Sequence, residues 1–334
     1  MKKFIFIFYF ILLINNSFAT TPLISLGEFF KGLELVKIPT YNSGPFPNEF
    51  MSIKNGTYKN FPIKIDAVIK YPDKGEGPFP IIVFNHASGG PRLFSNKWFK
   101  FDRQQARYLL KKGIAVMFVD NFSARDAMNV AKNQSQVSTY SFYIDAFMTL
   151  EYLSKDPMID IKKVGITGWS RGGMNSLAIA ESRIRDELIS KDLYFAASLA
   201  RSVECRQSGF FRNPKPIKET KIWMVNGKND DASHSHICEN YGEKMKVNGA
   251  NILVTTKAGW GHGFEANYEA EYEADQEKWH DCPDYYTEDN GMANLDASIN
   301  SSCITYGYKI GGTNQSWKKF SAPFKKFFIK TLLN

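Results

Sequence analysis

The chain has 334 residues, of which 43% are hydrophobic and 23% charged, a composition typical of a globular protein with a large core. The formal net charge of +8 conceals an acidic stretch, because residues 265–296 hold eleven acidic residues and one lysine. The remaining basic residues are scattered and accompany no nucleic-acid motif, which argues against nucleic-acid binding and favours a solvated surface.

The N-terminus has the pattern of a secretory signal. Lys2 and Lys3 precede eleven apolar residues, 4–14, and small residues follow up to Ala19. This order predicts a signal peptide at residues 1–19 and a secreted or periplasmic protein. An uncleaved anchor is the alternative, but a spanning helix needs roughly 20 apolar residues. No later stretch is apolar enough to span a bilayer, so we expect no stable membrane span after cleavage.

The remaining chain alternates between predicted strands and helices. Residues 20–60 carry Pro, Gly and Asn with little periodicity and are predicted to form an extended lead-in. Apolar patterning then predicts, in chain order, strands 63–71 and 81–84, helix 103–112, strand 114–119, helix 139–153, strand 163–167, helix 174–188, strands 194–199 and 221–225, a helix beginning near Ser233, strand 252–255 and helix 317–333. Such alternation predicts an α/β fold with a mostly parallel sheet, helices on both faces, and ligand chemistry at the carboxyl ends of the strands.

Residues 168–172, Gly-Trp-Ser-Arg-Gly, join a predicted strand to a predicted helix. This context is typical of a nucleophile elbow, in which a sharp turn exposes a serine hydroxyl. Gly168 and Gly172 flank Ser170 where side chains would clash, and the helix dipole favours negative charge on Ser170. The alternative is a glycine-rich turn with a capping serine.

A serine nucleophile needs a base, and the base needs an acid to orient it. His262 follows the last predicted strand in a glycine-rich segment and is the expected base. The acid is expected after strand 221–225, where Asp230 and Asp231 are both available, either as the acid or as a helix cap. The alternative for His262 is a place in a surface turn.

The oxyanion formed during acyl transfer needs backbone N–H donors. We expect one from Arg171, which follows the nucleophile, and one from Ala87, in the glycine-rich loop after strand 81–84. His86 precedes the nucleophile in the chain and is expected to position that loop.

The chain has four cysteines, and an exported protein meets an oxidising compartment. We therefore expect two disulfides, and we favour Cys205 with Cys238 and Cys282 with Cys303, although four cysteines allow three pairings.

Four segments together resemble the dienelactone hydrolase family: His86–Gly90, Gly168–Gly173, Gly227–Asp230 and Ala258–Phe264. The resemblance covers roughly residues 60–265 and the final helix. It implies an α/β-hydrolase fold, no cofactor, small-molecule ester or lactone substrates, and Asp230 rather than Asp231 as the acid. We accordingly expect a single α/β-hydrolase domain over residues 20–334, with an acidic, cysteine-containing insertion at about 265–315.

Two departures from the family bear on the substrate. The namesake enzymes use a cysteine nucleophile, whereas this chain has Ser170, and its elbow is also similar to that of cutinase-like polyester hydrolases. The insertion can be either a lid over the site or a surface loop.

Other functions remain open. Asp230, Asp231, His234 and His236 could form a metal hydrolase site, although no metal is expected in the preferred interpretation. The fold could serve a non-catalytic envelope binding protein, and peptidases and acyltransferases use the same triad. The sequence leaves the oligomeric state undetermined.

Overall fold

The computed structural model describes residues 21–294 and 302–334, so the predicted signal peptide lies outside the described residues. The strands are β1 (Glu34–Tyr41), β2 (Pro62–Lys70), β3 (Phe79–Asn85), β4 (Ala115–Asp120), β5 (Ile159–Trp169), β6 (Ala197–Arg201), β7 (Lys221–Gly227), β8 (Asn251–Lys257), β9 (Glu271–Lys278) and β10 (Thr305–Ile310). The α-helices are α1 (Glu49–Lys54), α2 (Lys100–Leu110), α3 (Thr139–Leu153), α4 (Arg171–Ala178), α5 (Ser182–Leu188), α6 (Ser235–Val247) and α7 (Asn314–Leu332). None of the helices in these residues has both the length and the hydrophobicity to cross a bilayer.

The first eight strands form one sheet in the order β1-β2-β4-β3-β5-β6-β7-β8. Strand β2 is antiparallel to both β1 and β4, and the strands from β4 to β8 are parallel. The predicted α/β fold with a mostly parallel sheet is therefore confirmed, and its carboxyl-terminal edge carries the loops that follow β3, β5, β7 and β8.

Alternating side chains of the sheet build a core on each face. In β3, Ile81 and Val83 pack into a core shared with α3 and α4, whereas Ile82 and Phe84 pack into a core shared with α2 and α7. All residues of β3 are buried. The continuous apolar run at 81–84 follows from this, because helices cover both faces of the strand.

Two predicted elements differ from the structure. The lead-in contains an edge strand, β1, in which only Ile38 and Thr40 are buried, so its alternation is too weak to predict a strand. The prediction of a single helix over residues 174–188 is wrong, because the chain turns between α4 and α5. The Glu181 side chain caps α5 by accepting from the Arg183 N–H, and the Ala180 carbonyl accepts from the Ile217 N–H.

The predicted insertion at about residues 265–315 contains a second, two-stranded sheet that the sequence did not predict. Strands β9 and β10 pair antiparallel, and β10 is joined to the main domain by a bridge between Ile310 and His262. The Glu277 N–H donates to the Ala131 carbonyl at 2.8 Å. This sheet is largely polar and lacks apolar alternation, which explains why patterning missed it.

The four cysteines lie at disulfide distance in the pairing that the sequence favours. Cys205 joins Cys238 with their Cα atoms 5.2 Å apart, and Cys282 joins Cys303 with their Cα atoms 4.8 Å apart. The first bridge is buried and ties the segment after β6 to α6.

Removing the buried bridge should destabilise the fold. A closed loop of about 33 residues restricts the unfolded chain, so Cys205→Ser/Cys238→Ser should lose about 3–4 kcal/mol of unfolding free energy, measured by urea denaturation. Peptide mapping without reductant should recover Cys205 linked to Cys238. A link from either cysteine to Cys282 would contradict the pairing.

Candidate active site

Ser170 lies at a sharp turn between β5 and α4. Its φ of 55° and ψ of −125° are strained for a residue with a side chain. The Ser170 N–H donates to the Arg201 carbonyl on β6 at 2.9 Å, which holds the turn against the neighbouring strand. This is the strand, turn and helix geometry of a nucleophile elbow.

The two elbow glycines are required by close backbone contacts. A Cβ atom on Gly168 would lie 2.6 Å from the Gly172 carbonyl carbon, and a Cβ atom on Gly172 would lie 2.7 Å from the main-chain carbonyl oxygen of Asn85. Any side chain at these positions would push α4 away from β3 and β5. The turn that projects Ser170 therefore depends on glycine at both positions.

His262 and Asp230 form a buried pair. His262 Nδ1 lies 2.9 Å from Asp230 Oδ2, and both side chains are almost fully excluded from solvent. Asp230 Oδ1 accepts from the N–H groups of Ala232 and Ser233, so the carboxylate is held on both oxygens. The structure places Asp230 against His262, while Asp231 is exposed and accepts from the Lys309 N–H.

The surroundings of His262 favour its protonated form. Burial lowers the pKa of His262, but the charge of Asp230, its hydrogen bond, and the more distant Glu265 and Asp231 together outweigh burial. The pKa of His262 is therefore raised above its ordinary value of 6.5. An imidazole held in this way can accept a proton and keep it while a reaction proceeds.

Two pockets meet at Ser170. We call the first the His262 pocket, which is lined by Ser170, Arg171, Glu204, Gln207, His262 and Trp279 among others. We call the second the Ala87 pocket, which is lined by Ala87, Leu93, Trp98, Trp169, Ser170 and Ile310 among others. Tyr308 of β10 lines both pockets, so the two-stranded sheet forms part of the wall on each side of Ser170.

His86 holds the loop that carries Ala87. Its Nε2 accepts from the Asn121 N–H at 3.2 Å, which leaves Nδ1 to donate to the Ala87 carbonyl at 2.9 Å. Burial lowers the pKa of His86 to about 4, so the ring is neutral near pH 7 and keeps this tautomer. This geometry supports the expected positioning role of His86.

A buried ion triad behind the site was missed by the sequence reasoning. Arg201 contacts Asp102 at 2.6 Å and Glu265 at 2.7 Å, and all three side chains are buried. The Arg201 carbonyl accepts from Ser170, and Glu265 is three residues beyond His262. Glu265 is the first residue of the acidic stretch 265–296, and its side chain is buried. These three residues are too far apart in the sequence for a local pattern to predict their contact.

The alternative metal site finds little support in this arrangement. The ring centroids of His234 and His236 lie 5.5 Å apart. Asp230, however, is hydrogen-bonded to His262, and Asp231 accepts from the Lys309 N–H of β10. Across residues 21–294 and 302–334, no group of three or more His, Cys, Asp or Glu side chains is arranged to hold a metal ion.

The parallel sheet, the strained elbow and the buried histidine–carboxylate pair at the carboxyl ends of the strands define an α/β-hydrolase. The family model of the dienelactone hydrolase family matches residues 65–288, about two-thirds of the chain. The chain therefore belongs to the dienelactone hydrolase family, whose members hydrolyse ester bonds.

Solved structures show the same fold. A candidate dienelactone hydrolase from Klebsiella pneumoniae subsp. pneumoniae MGH 78578 is 13% identical, with a TM-score of 0.51, and the match covers 88% of this chain and 99% of that chain. The dienelactone hydrolase-like promiscuous phosphotriesterase P91 from metagenomic libraries is also 13% identical, with a TM-score of 0.51, over 90% of this chain and 98% of that chain. No curated protein matches the chain by sequence.

The two aspartates can be distinguished by their effect on His262. In an NMR titration, the pKa of the His262 ring should lie above 6.5 in the wild type and fall in Asp230→Asn. Burial lowers this pKa, and the variant lacks the negative charge of Asp230 that opposes the effect of burial. Asp231→Asn should lower it less, since Asp231 makes the smallest of the contributions that raise it. Equal shifts in the two variants would contradict the assigned pair.

Proposed function

We propose that the protein is a serine esterase that cleaves ester or lactone bonds through a Ser170–His262–Asp230 triad and an acyl-enzyme. One observation carries the proposal: His262, which is paired with the buried Asp230, lines the same pocket as Ser170, and Ser170 stands on a strained elbow. A buried acid that orients a histidine, in the same pocket as a half-buried serine, is the arrangement that a serine nucleophile requires.

Acylation begins when the Ser170 oxygen attacks the ester carbon and His262 Nε2 takes the serine proton. Asp230 keeps the proton on Nδ1 and stabilises the imidazolium that forms. His262 then passes the proton to the leaving alcohol oxygen as its bond to the acyl carbon breaks. Water repeats the sequence on the acyl-enzyme, releasing the carboxylic acid and restoring the Ser170 hydroxyl.

The negative charge on the acyl oxygen is met by two N–H groups, those of Ala87 and Arg171. Arg171 is the first residue of α4, where the helix dipole adds to its N–H donor. Support for Ala87 comes from its place in the wall beside Ser170 and from the hydrogen bond by which His86 holds its carbonyl. The donors are then in place before the charge develops.

The place of action is proposed to be outside the cytoplasm. The signal-like N-terminus predicts export, and two cysteine pairs at disulfide distance suit an oxidising compartment.

Hydrolysis of p-nitrophenyl acetate by purified variants tests the triad. Ser170→Ala and His262→Ala should each lower kcat by about 10⁶-fold, and Asp230→Asn by about 10⁴-fold, as in comparable triads. Asp231→Asn is the matched control and should stay within about 2-fold, because Asp231 lies outside the pair. Circular dichroism should show that each variant is folded. A folded Ser170→Ala protein that retains more than about 1% of the wild-type kcat would refute the proposal.

A further inference from the structure

The two pockets at Ser170 differ in size. The cavity of the His262 pocket is about 40 Å³, and that of the Ala87 pocket is about 190 Å³. Since one water molecule needs at least about 10–15 Å³, the His262 pocket has room for about three water-sized groups. An ester that binds across Ser170 therefore has one small half and one larger half.

The wall that the insertion contributes to the His262 pocket is fixed to the main domain. The Glu277 N–H donates to the Ala131 carbonyl at 2.8 Å, and the Gln134 side-chain amide donates to the Glu277 carbonyl at 3.0 Å. The Glu277 carboxylate accepts from the Gln134 N–H at 2.7 Å. These bonds hold the end of β9 against the loop that precedes α3, so the pocket widens there only if they break.

Trp279 is the largest side chain that lines this pocket. Its Nε1 donates to the Glu277 carboxylate at 3.2 Å, and its carbonyl accepts from the Cys282 N–H at 3.0 Å. The Arg206 guanidinium donates at 2.6 Å to the carbonyl of the next residue, His280. Contacts on both sides of Trp279 thus fix its backbone, and the indole nitrogen is held as well.

Trp279 differs from the other large side chains of the pocket in its exposure. Arg171 and Met174 are buried in the main domain, and the buried Tyr308 packs against the catalytic His262. Trp279 is only half-buried, so part of its surface faces solvent. A smaller residue at position 279 would therefore enlarge the pocket towards solvent and leave the core intact.

The order of the chemical steps assigns the acyl group to the narrow pocket. In the proposed mechanism the alcohol leaves while the acyl group is still bonded to Ser170, and a water molecule must then reach the acyl carbon. The wider Ala87 pocket has the room to release the alcohol and to admit this water. The acyl chain stays at Ser170 until the final step, so it can occupy the narrower pocket.

We propose that the His262 pocket binds the acyl chain and that Trp279 limits its length, so that the substrates are esters of short-chain carboxylic acids with larger alcohols. Room for about three groups corresponds to chains from acetyl to butyryl, which extend by up to about three carbon atoms beyond the ester carbonyl. A longer chain would have to displace Trp279 or break the bonds that hold Glu277. The proposal rests on the proposed esterase function.

Two pairs of esters test the assignment. p-Nitrophenyl acetate and p-nitrophenyl hexanoate share a leaving group, and kcat/KM should be about 10- to 100-fold lower for the hexanoate, because its chain overfills the pocket. Ethyl acetate and hexyl acetate share an acyl group, and hexyl acetate should be cleaved at least as well, because the alcohol occupies the wider pocket. Each kcat/KM is divided by the alkaline hydrolysis rate of the ester, which removes differences in intrinsic reactivity.

Variants then assign the limit to Trp279. Trp279→Ala should raise the hexanoate-to-acetate ratio of kcat/KM about 10-fold, because it enlarges the narrow pocket. A loss of structure would lower both values instead of changing their ratio. Trp98→Ala, in the wall of the Ala87 pocket, is the matched control and should leave this ratio unchanged. If circular dichroism shows that Trp279→Ala is unfolded, Trp279→Phe, which keeps a smaller ring, should raise the ratio in the same direction by a smaller factor.

Three outcomes would overturn the inference while Ser170-dependent hydrolysis of p-nitrophenyl acetate leaves the esterase proposal standing. In the first, the wild type cleaves the hexanoate as well as the acetate. In the second, a folded Trp279→Ala protein keeps the wild-type ratio. In the third, hexyl acetate is cleaved at least about 10-fold less well than ethyl acetate, which would place the alcohol in the narrow pocket. If the wild type hydrolyses no ester, the proposed function fails and the inference fails with it.

Discussion

The strained turn at Ser170 is the constraint on which the site depends. A positive φ at a residue with a side chain persists only where the surroundings enforce it, and here α4 is packed against β3 and β5 through Gly168 and Gly172. The same packing places Ser170 and Arg171 side by side at the carboxyl-terminal edge of the sheet. A shift of α4 would displace the nucleophile and a proposed oxyanion donor together.

The buried triad of Arg201, Asp102 and Glu265 connects this turn to the histidine loop. The Arg201 carbonyl accepts a hydrogen bond from the Ser170 N–H. The Arg201 guanidinium donates to Glu265, which lies three residues after His262 in the chain. Burial raises the pKa of Glu265, and the charge of Arg201 opposes that shift. Removing one member would leave an uncompensated buried charge, so the three side chains fix the distance between β6, α2 and the loop that carries His262.

Local sequence patterns predicted those elements whose conformation is determined by residues that are close together in the chain. The elbow glycines, the buried run of β3 and helix α3 are encoded by neighbouring residues, and the predicted sheet follows from their alternation. Contacts between distant segments were not predictable. Arg201 contacts Asp102 only after folding, and the polar strands β9 and β10 have no apolar alternation. The choice of Asp230 rested on family resemblance, and the structure adds the contact with His262.

Labelling with a fluorophosphonate, followed by peptide mass spectrometry, tests the central claim most directly. The reagent forms a covalent bond only with a serine that an adjacent base activates. The account predicts one adduct in the wild type, on Ser170, no adduct in Ser170→Ala, and strongly slowed labelling in His262→Ala. An adduct on another residue, or equal labelling of Ser170→Ala and the wild type, would contradict it.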